Sequence, residues 1–232
     1  MYHSIQDIID ICNEENMEFW EVVQRTDMDE RAASSAESWT NMANIYQAMK
    51  DADKSYNARL RSESGLAGGD GEKLGFTDEQ MIHAMYVSAG VGAIIAENAS
   101  IAGASGGCRA EIGSASAMAA AGLVSLQGGT VENIAHGAAL ALKNMLGLAC
   151  DPVCGLVEVP CVKRNVAGAV NAVTAAQMAM AGIVSAIPVD EVIDTMRRIG
   201  NAMPESLKET AGGGLATTPT AALIAQRFQK CE

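Results

Sequence analysis

Six cysteines, at positions 12, 108, 150, 154, 161 and 231, are the residues of this sequence best suited to chemistry. Four of them fall between 108 and 161, in loops punctuated by glycine and proline: Cys108 follows Gly106-Gly107, Cys150 precedes Asp151-Pro152 and Cys161 follows Pro160. Glycine frees the backbone and proline fixes it, so each of these three can present a thiol inward from a loop. Their separations of 42 and 11 residues fit neither a zinc ribbon nor a ferredoxin run, which bring cysteines about two to four residues apart. On residue type alone, buried thiols acting as small hydrophobes therefore stand as an equal alternative to a metal centre.

The elements that must position these thiols are helices. The apolar fraction is 49% but aromatic residues make up only 4%, so Ala, Val, Ile, Leu and 13 methionines must fill the core, which suits closely packed helices. Ile5, Ile8, Ile9 and Cys12 recur at helical spacing, as do Trp39, Met42, Ile45, Tyr46 and Met49, giving an amphipathic N-terminal arm over 1–61. A glycine-rich break follows at Ser62 to Gly75. Thr77 and Asp78 are helix caps ahead of Glu79 and Gln80, and a small-residue helix extends to about Ile101. Further helices are expected over Ser114 to Leu126, Val131 to Leu146, Ala167 to Ile187 and Asp190 to Ala202, the last opening at Pro188. Between them lie glycine-rich breaks at Gly103 to Cys108, Gly147 to Cys161 and Gly212 to Pro219. No strand alternation is evident, so the reading is a single all-α domain: a compact bundle of buried small-residue helices around cysteine-bearing loops, with the cysteine-bearing core at 62–232.

A formal net charge of -12 excludes a nucleic-acid surface, which needs a cationic face, and disfavours anionic membranes. A small anionic substrate must then be held by local donors or a metal. The acidic N-terminus has no signal-peptide pattern, so a cytoplasmic location with reduced thiols is the expectation. Asn165 to Val189 carries no charge, yet its Asn, Thr, Gln and Ser residues fit a helix buried on all sides by protein better than a membrane span.

Several segments together resemble the iron-sulfur L-serine dehydratases, specifically the α chain of the two-subunit form. They are Asn98 to Ser114 with the run Ser105-Gly-Gly-Cys108, Cys150-Asp-Pro-Val-Cys-Gly-Leu-Val-Glu-Val-Pro-Cys161-Val-Lys-Arg-Asn165, Gly213-Gly-Leu-Ala-Thr-Thr-Pro219, and Ser64-Gly-Leu-Ala-Gly-Gly-Asp70. The resemblance implies that Cys108, Cys150 and Cys161 bind three irons of a 4Fe-4S cluster. The fourth iron stays open as a Lewis acid for dehydrating L-serine to pyruvate and ammonia without pyridoxal phosphate. It also implies oxygen sensitivity, and a separate regulatory β chain in a heteromer. Cys231 is the candidate cap on the open iron, balanced against a plain tail thiol; Cys12 and Cys154 are read as structural.

Substrate-binding candidates are Ser64, Gly68, Gly69 and Asp70, whose loop offers backbone amides; Asn98, Ser100 and Ser105; and Lys163, Arg164 and Asn165 beside Cys161. Glu111 is expected to orient the Cys108 loop. His83 and His136 lie in apolar helical contexts and are read as structural, leaving the catalytic base unassigned. Against the family pattern, several dozen residues that include a Pro/Thr/Gly/Ser motif by the substrate would fall between Leu74 and Gly75; the expectation is that the numbering passes over them. The rival readings are a cluster-dependent lyase acting on cysteine or threonine, and a non-catalytic helical partner chain.

Overall fold

Hydroxyl side chains open three of the helices. Ser4, Thr77 and Thr130 each accept from the amide three residues on, and Asp7, Gln80 and Asn133 reach back to the cap amide, closing reciprocal capping boxes. The computed structural model describes residues 2–30, 76–156 and 158–228, with 26–30 and 228 described by their backbone alone. Among these residues nine α-helices run in order: α1 (Ile5–Glu15), α2 (Phe19–Glu30), α3 (Asp78–Asn98), α4 (Gly103–Gly106), α5 (Ser114–Leu126), α6 (Val131–Met145), α7 (Cys161–Met180), α8 (Val189–Ala202) and α9 (Pro219–Phe228). A π-helical turn at Arg109–Gly113 leads into α5, and short 3-10 turns occupy Val153–Gly155, Glu205–Leu207 and Gly214–Thr217. The described residues hold no strand, only an isolated bridge between Cys150 and Lys208. The fold is all-α.

The centre of the bundle is α3, α5, α6 and α7, and small residues let these helices approach closely. Ser88 of α3 donates to the Met118 carbonyl of α5 at 2.9 Å, and a side chain at Gly92 would strike Met118. Ser116 of α5 donates to the Gly168 carbonyl of α7 at 2.8 Å, and Asn171 of α7 donates to both Ser116 and the Ala141 carbonyl of α6. These pairings make α3 antiparallel to α5, α5 antiparallel to α6, and α7 parallel to α5. The α1 stripe packs as the sequence indicates: Ile5, Ile8, Ile9 and Cys12 are all buried in the same core as Val87, Val91, Ala120, Val124 and Leu142. Asp190, in the first turn of α8, accepts from the amides of Ile5 and Gln6 and ties the two helix starts together.

Two expectations are corrected. The helix expected over Ala167 to Ile187 runs from Cys161 to Met180; Pro160 ends the preceding loop, and the chain enters the helix at once because proline is well suited to a helix start. Nor is it buried on all sides: Val162, Val166, Val170 and Val173 are each more than half exposed. Small polar residues had suggested burial, but only Asn171 reaches α5 and α6; Asn165 and Thr174 are exposed and bond carbonyls of their own helix. No helix among the described residues is long and apolar enough to cross a membrane. The Trp39–Met49 stripe lies outside the described residues.

Candidate metal centre

The up-and-down topology delivers the cysteines to one end of the bundle. Cys108 precedes the turn into α5, Cys150 follows α6, and Cys161 is the first residue of α7. Because α6 is antiparallel to α5 and α7, these three points lie at the same end of the bundle. Cys108 is 1% and Cys150 3% exposed, and they pack with Ile112 and Leu148 in a small cluster separate from the main core. The ligating atoms of Cys108, Cys150 and Glu111 lie within 4.8 Å of one another. Cys161 is close enough to Cys108 and Glu111 for their charges to add to burial in raising its thiol pKa, opposed by Arg164. Burial, then the neighbouring Cys108 thiol, pushes Cys150 up to about 12. Metal-free, Cys150 and Cys161 are both biased toward the protonated thiol, and a bound cation would favour their thiolates.

One arginine reaches the thiols, and a second is buried close by in sequence. Arg164 Nη1 donates to Asp151 Oδ1 at 2.6 Å, to the Ala149 carbonyl at 2.9 Å and to Cys108 Sγ at 3.7 Å. Asp151 is 5% exposed, and its other oxygen accepts the Leu215 amide at 2.8 Å. A single ion pair thus joins the Cys108 turn, the Cys150 loop, the start of α7 and the Gly213–Thr218 loop. Gly214 has φ +59° and would bring a Cβ to 2.7 Å from Asp151 Cβ, so only glycine fits that crossing. Arg109, 4% exposed, donates from Nε to the Leu148 carbonyl, while its Nη1 has no partner. Burial lowers its pKa, with no carboxylate contributing. A buried guanidinium without a counter-charge is costly and calls for an anionic neighbour. The N-terminus of α7 also points its amides at this end.

Comparison with known proteins agrees with this geometry. Residues 71–216 match the family described as serine dehydratase alpha chain. This chain belongs to that family. It is 62% identical over 149 residues to a probable L-serine dehydratase alpha chain of Bacillus subtilis, a stretch covering 64% of this chain and 50% of that protein. It is 48% identical over 159 residues to the L-serine dehydratase alpha chain of Peptoniphilus asaccharolyticus, covering 68% of this chain and 54% of that one. A third relative, L-serine dehydratase TdcG of Escherichia coli, is 45% identical over 141 residues, 60% of this chain and 31% of its own length. The chain spans about half the length, or less, of these three relatives.

Of the family-motif residues, the structure brings Cys108, Cys150, Cys161, Arg164 and Glu111 together. It turns others elsewhere. Asn98 spends its side-chain amide on the His3 carbonyl at 2.8 Å, and Asn165 on the Cys161 carbonyl at 3.0 Å. Lys163 is exposed. Ser100 and Ser105 line a cavity of about 160 Å³ with Gly106, Arg197 and Asn201. His83 stacks on Trp20 at 3.7 Å and His136 accepts the Ser185 amide, so both are structural. Cys12 is a core thiol pushed up to about 11 by burial, and Cys154 is exposed at positive φ. Ser64, Gly68, Gly69, Asp70, the Leu74–Gly75 junction and Cys231 lie outside the described residues. Sequence reasoning missed Asp151 and Arg109; the signals were an acid between Cys150 and Pro152 and a basic residue directly after Cys108.

Proposed function

We propose that this chain is a catalytic chain of a cytoplasmic L-serine ammonia-lyase, which dehydrates L-serine to pyruvate and ammonia at a 4Fe-4S cluster held by Cys108, Cys150 and Cys161. The observation that carries it is the meeting of three motif cysteines at one bundle end, with Arg164 on the Cys108 sulfur. The donor set fits such a group: the thiols are sulfur ligands, two of them buried, and Arg164, on the Cys108 sulfur, supplies positive charge for an anionic centre. When bound through three protein ligands, the cluster leaves one iron free to act as a Lewis acid on the serine β-hydroxyl.

The chain's own groups supply the rest. Glu111 takes the α-proton from serine: burial and the charge of Glu209 raise its carboxyl pKa, while the Gly103 amide opposes them. Loss of that proton and of hydroxide releases the enamine, which tautomerises and hydrolyses in water. Ser100, Ser64 and the Gly68–Asp70 loop are proposed to bind substrate with Lys163. Arg164 is reassigned to holding the thiols and Asn98 to holding the chain at His3. Cys231 is the proposed cap of the free iron, and a β chain the proposed partner.

A second reading has one observation in its favour. Among the described residues, Cys108, Glu111 and Cys150 group within 4.8 Å, a set that suits a single divalent ion. Anaerobic reconstitution with iron and sulfide, followed by metal and acid-labile sulfide analysis and a pyruvate assay on L-serine, separates the two. Bound iron with sulfide and pyruvate production supports the cluster lyase. One metal per chain without sulfide overturns it in favour of the single-ion site.

A further inference from the structure

Serine is a zwitterion, and the positive charge that draws its carboxylate repels its α-ammonium, so a site for it must also offer an anion. That anion must stand near Glu111, because the ammonium and the α-proton sit on one carbon. Most acids of the thiol end are committed elsewhere. Asp151 gives one oxygen to Arg164 and the other to the Leu215 amide. Glu205 stands 4.0 Å from Lys208 Nζ. Glu158 is exposed on the loop before Pro160 and is not among the charges that act on Glu111. Glu209 is among them: its charge raises the pKa of both Glu111 and Cys150, so its carboxylate is close to both. The Glu209 side chain is exposed and has no hydrogen bond or ion pair among the described residues.

The backbone of Glu209 is gripped by Cys150. The Cys150 amide donates to the Leu207 carbonyl at 2.8 Å, and the Glu209 amide donates to the Cys150 carbonyl at 3.0 Å. Glu209 has φ +65°, in the left-handed region that residues other than glycine seldom occupy. Glycine would enter this turn without strain, yet a glutamate stands there, which points to a use for its side chain beside the thiols.

We propose that Glu209 binds the α-ammonium of L-serine beside Glu111 and the thiols, and so makes the site select an amino acid over the corresponding hydroxy acid. The inference rests on the lyase reading given above. Two neighbouring carboxylates with no cation between them repel each other, and the ammonium supplies that cation. The bridge between Cys150 and Lys208 fixes how far the Glu209 carboxylate can stand from the thiols.

The test compares two constants on the anaerobically reconstituted holoenzyme: KM for L-serine, and Ki for L-glycerate, in which a neutral hydroxyl replaces the ammonium. Glu209→Gln is expected to raise KM about tenfold or more, the worth of one hydrogen bond to a charged group. Its kcat should change little, because the ammonium is held alike before and during reaction. Its Ki for L-glycerate should be unchanged or lower, and its iron content and far-ultraviolet circular dichroism those of the wild type. Glu209→Asp, which keeps the charge and tolerates the left-handed turn, should recover much of the serine affinity. Glu209→Gly, which suits the turn but lacks the charge, should bind serine as poorly as Glu209→Gln. Glu158→Gln, the same charge change elsewhere at this end, should leave both constants alone. If the ratio of the two constants in Glu209→Gln stays within about threefold of the wild type, because neither moves or because both rise together, the ammonium assignment fails while the lyase reading stands. A Glu209→Gly variant with wild-type serine affinity overturns it equally. A wild type that binds iron and sulfide but makes no pyruvate sinks the lyase reading and this assignment together.

Discussion

Replacing Asp151 with alanine should loosen the whole thiol end, and the size of the effect follows from its partners. Asp151 is buried, and its carboxylate holds Arg164 at 2.6 Å and the Leu215 amide at 2.8 Å. Breaking a fully buried ion pair costs about 3–5 kcal/mol. Here the Arg164 side chain is 21% exposed and keeps the Ala149 carbonyl, so screening reduces that loss to about 2 kcal/mol. The orphaned Leu215 amide adds about 1 kcal/mol. A total near 3 kcal/mol corresponds to a urea midpoint lowered by roughly 1 M, at a slope of about 2–3 kcal/mol per M. Asp151→Asn, which keeps one acceptor, should lose about half as much. A double-mutant cycle with Arg164→Met should return about 1–2 kcal/mol of coupling. If Asp151→Ala shifts stability by less than about 0.5 kcal/mol, or the cycle gives no coupling, the pair is not what joins these loops.

Other outcomes follow from the same geometry. Gly107 has φ +74°, and an alanine there would place Cβ 3.0 Å from the Leu148 carbonyl and closer to Met203; Gly107→Ala should cost at least 1–3 kcal/mol in thermal or urea unfolding and reduce iron uptake more than an equally destabilising core change such as Ile8→Ala. Glu111→Gln should lower kcat for pyruvate formation by roughly 100-fold or more with iron content unchanged, and an unaltered kcat would remove Glu111 from proton transfer. The metal-free protein should lose stability as pH rises from about 9 toward 12, because the folded pKa values of Cys12 and Cys150 stand at about 11 and 12, above that of an unfolded thiol near 8.5. Folding binds protons in that window, so stabilisation is full below it and declines through it. Urea midpoints at pH 8 and pH 10.5 check the sign, and an unchanged or raised midpoint at the higher pH contradicts it.

Much of this architecture could be read from residue patterns. The α5 span was given by its small-residue run, the α3 start by the Thr77–Gln80 capping box, and the α1 face by four apolar positions that all prove buried. Motif likeness also singled out Cys108 and Cys150, whose sulfurs the structure groups with the Glu111 carboxylate. What escaped depends on tertiary partners. Residue type cannot say that Arg164 turns inward while Lys163 beside it points to solvent, because that is decided by where α7 begins. Nor can it pair Asp151 with Leu215, 64 positions away. The exposed valines of α7 were misjudged because apolar composition reports a preference for burial, not whether a neighbour supplies it. The short α9 was also missed, although Thr218 caps it ahead of Ala221.

The most direct test of the three-cysteine centre is iron and acid-labile sulfide per chain after anaerobic reconstitution, measured on the wild type and on Cys161→Ser. The wild type should bind about four of each, and Cys161→Ser should lose most of both while remaining folded. Full retention of iron and sulfide in Cys161→Ser would contradict the assignment, leaving Cys108, Glu111 and Cys150 to hold whatever binds.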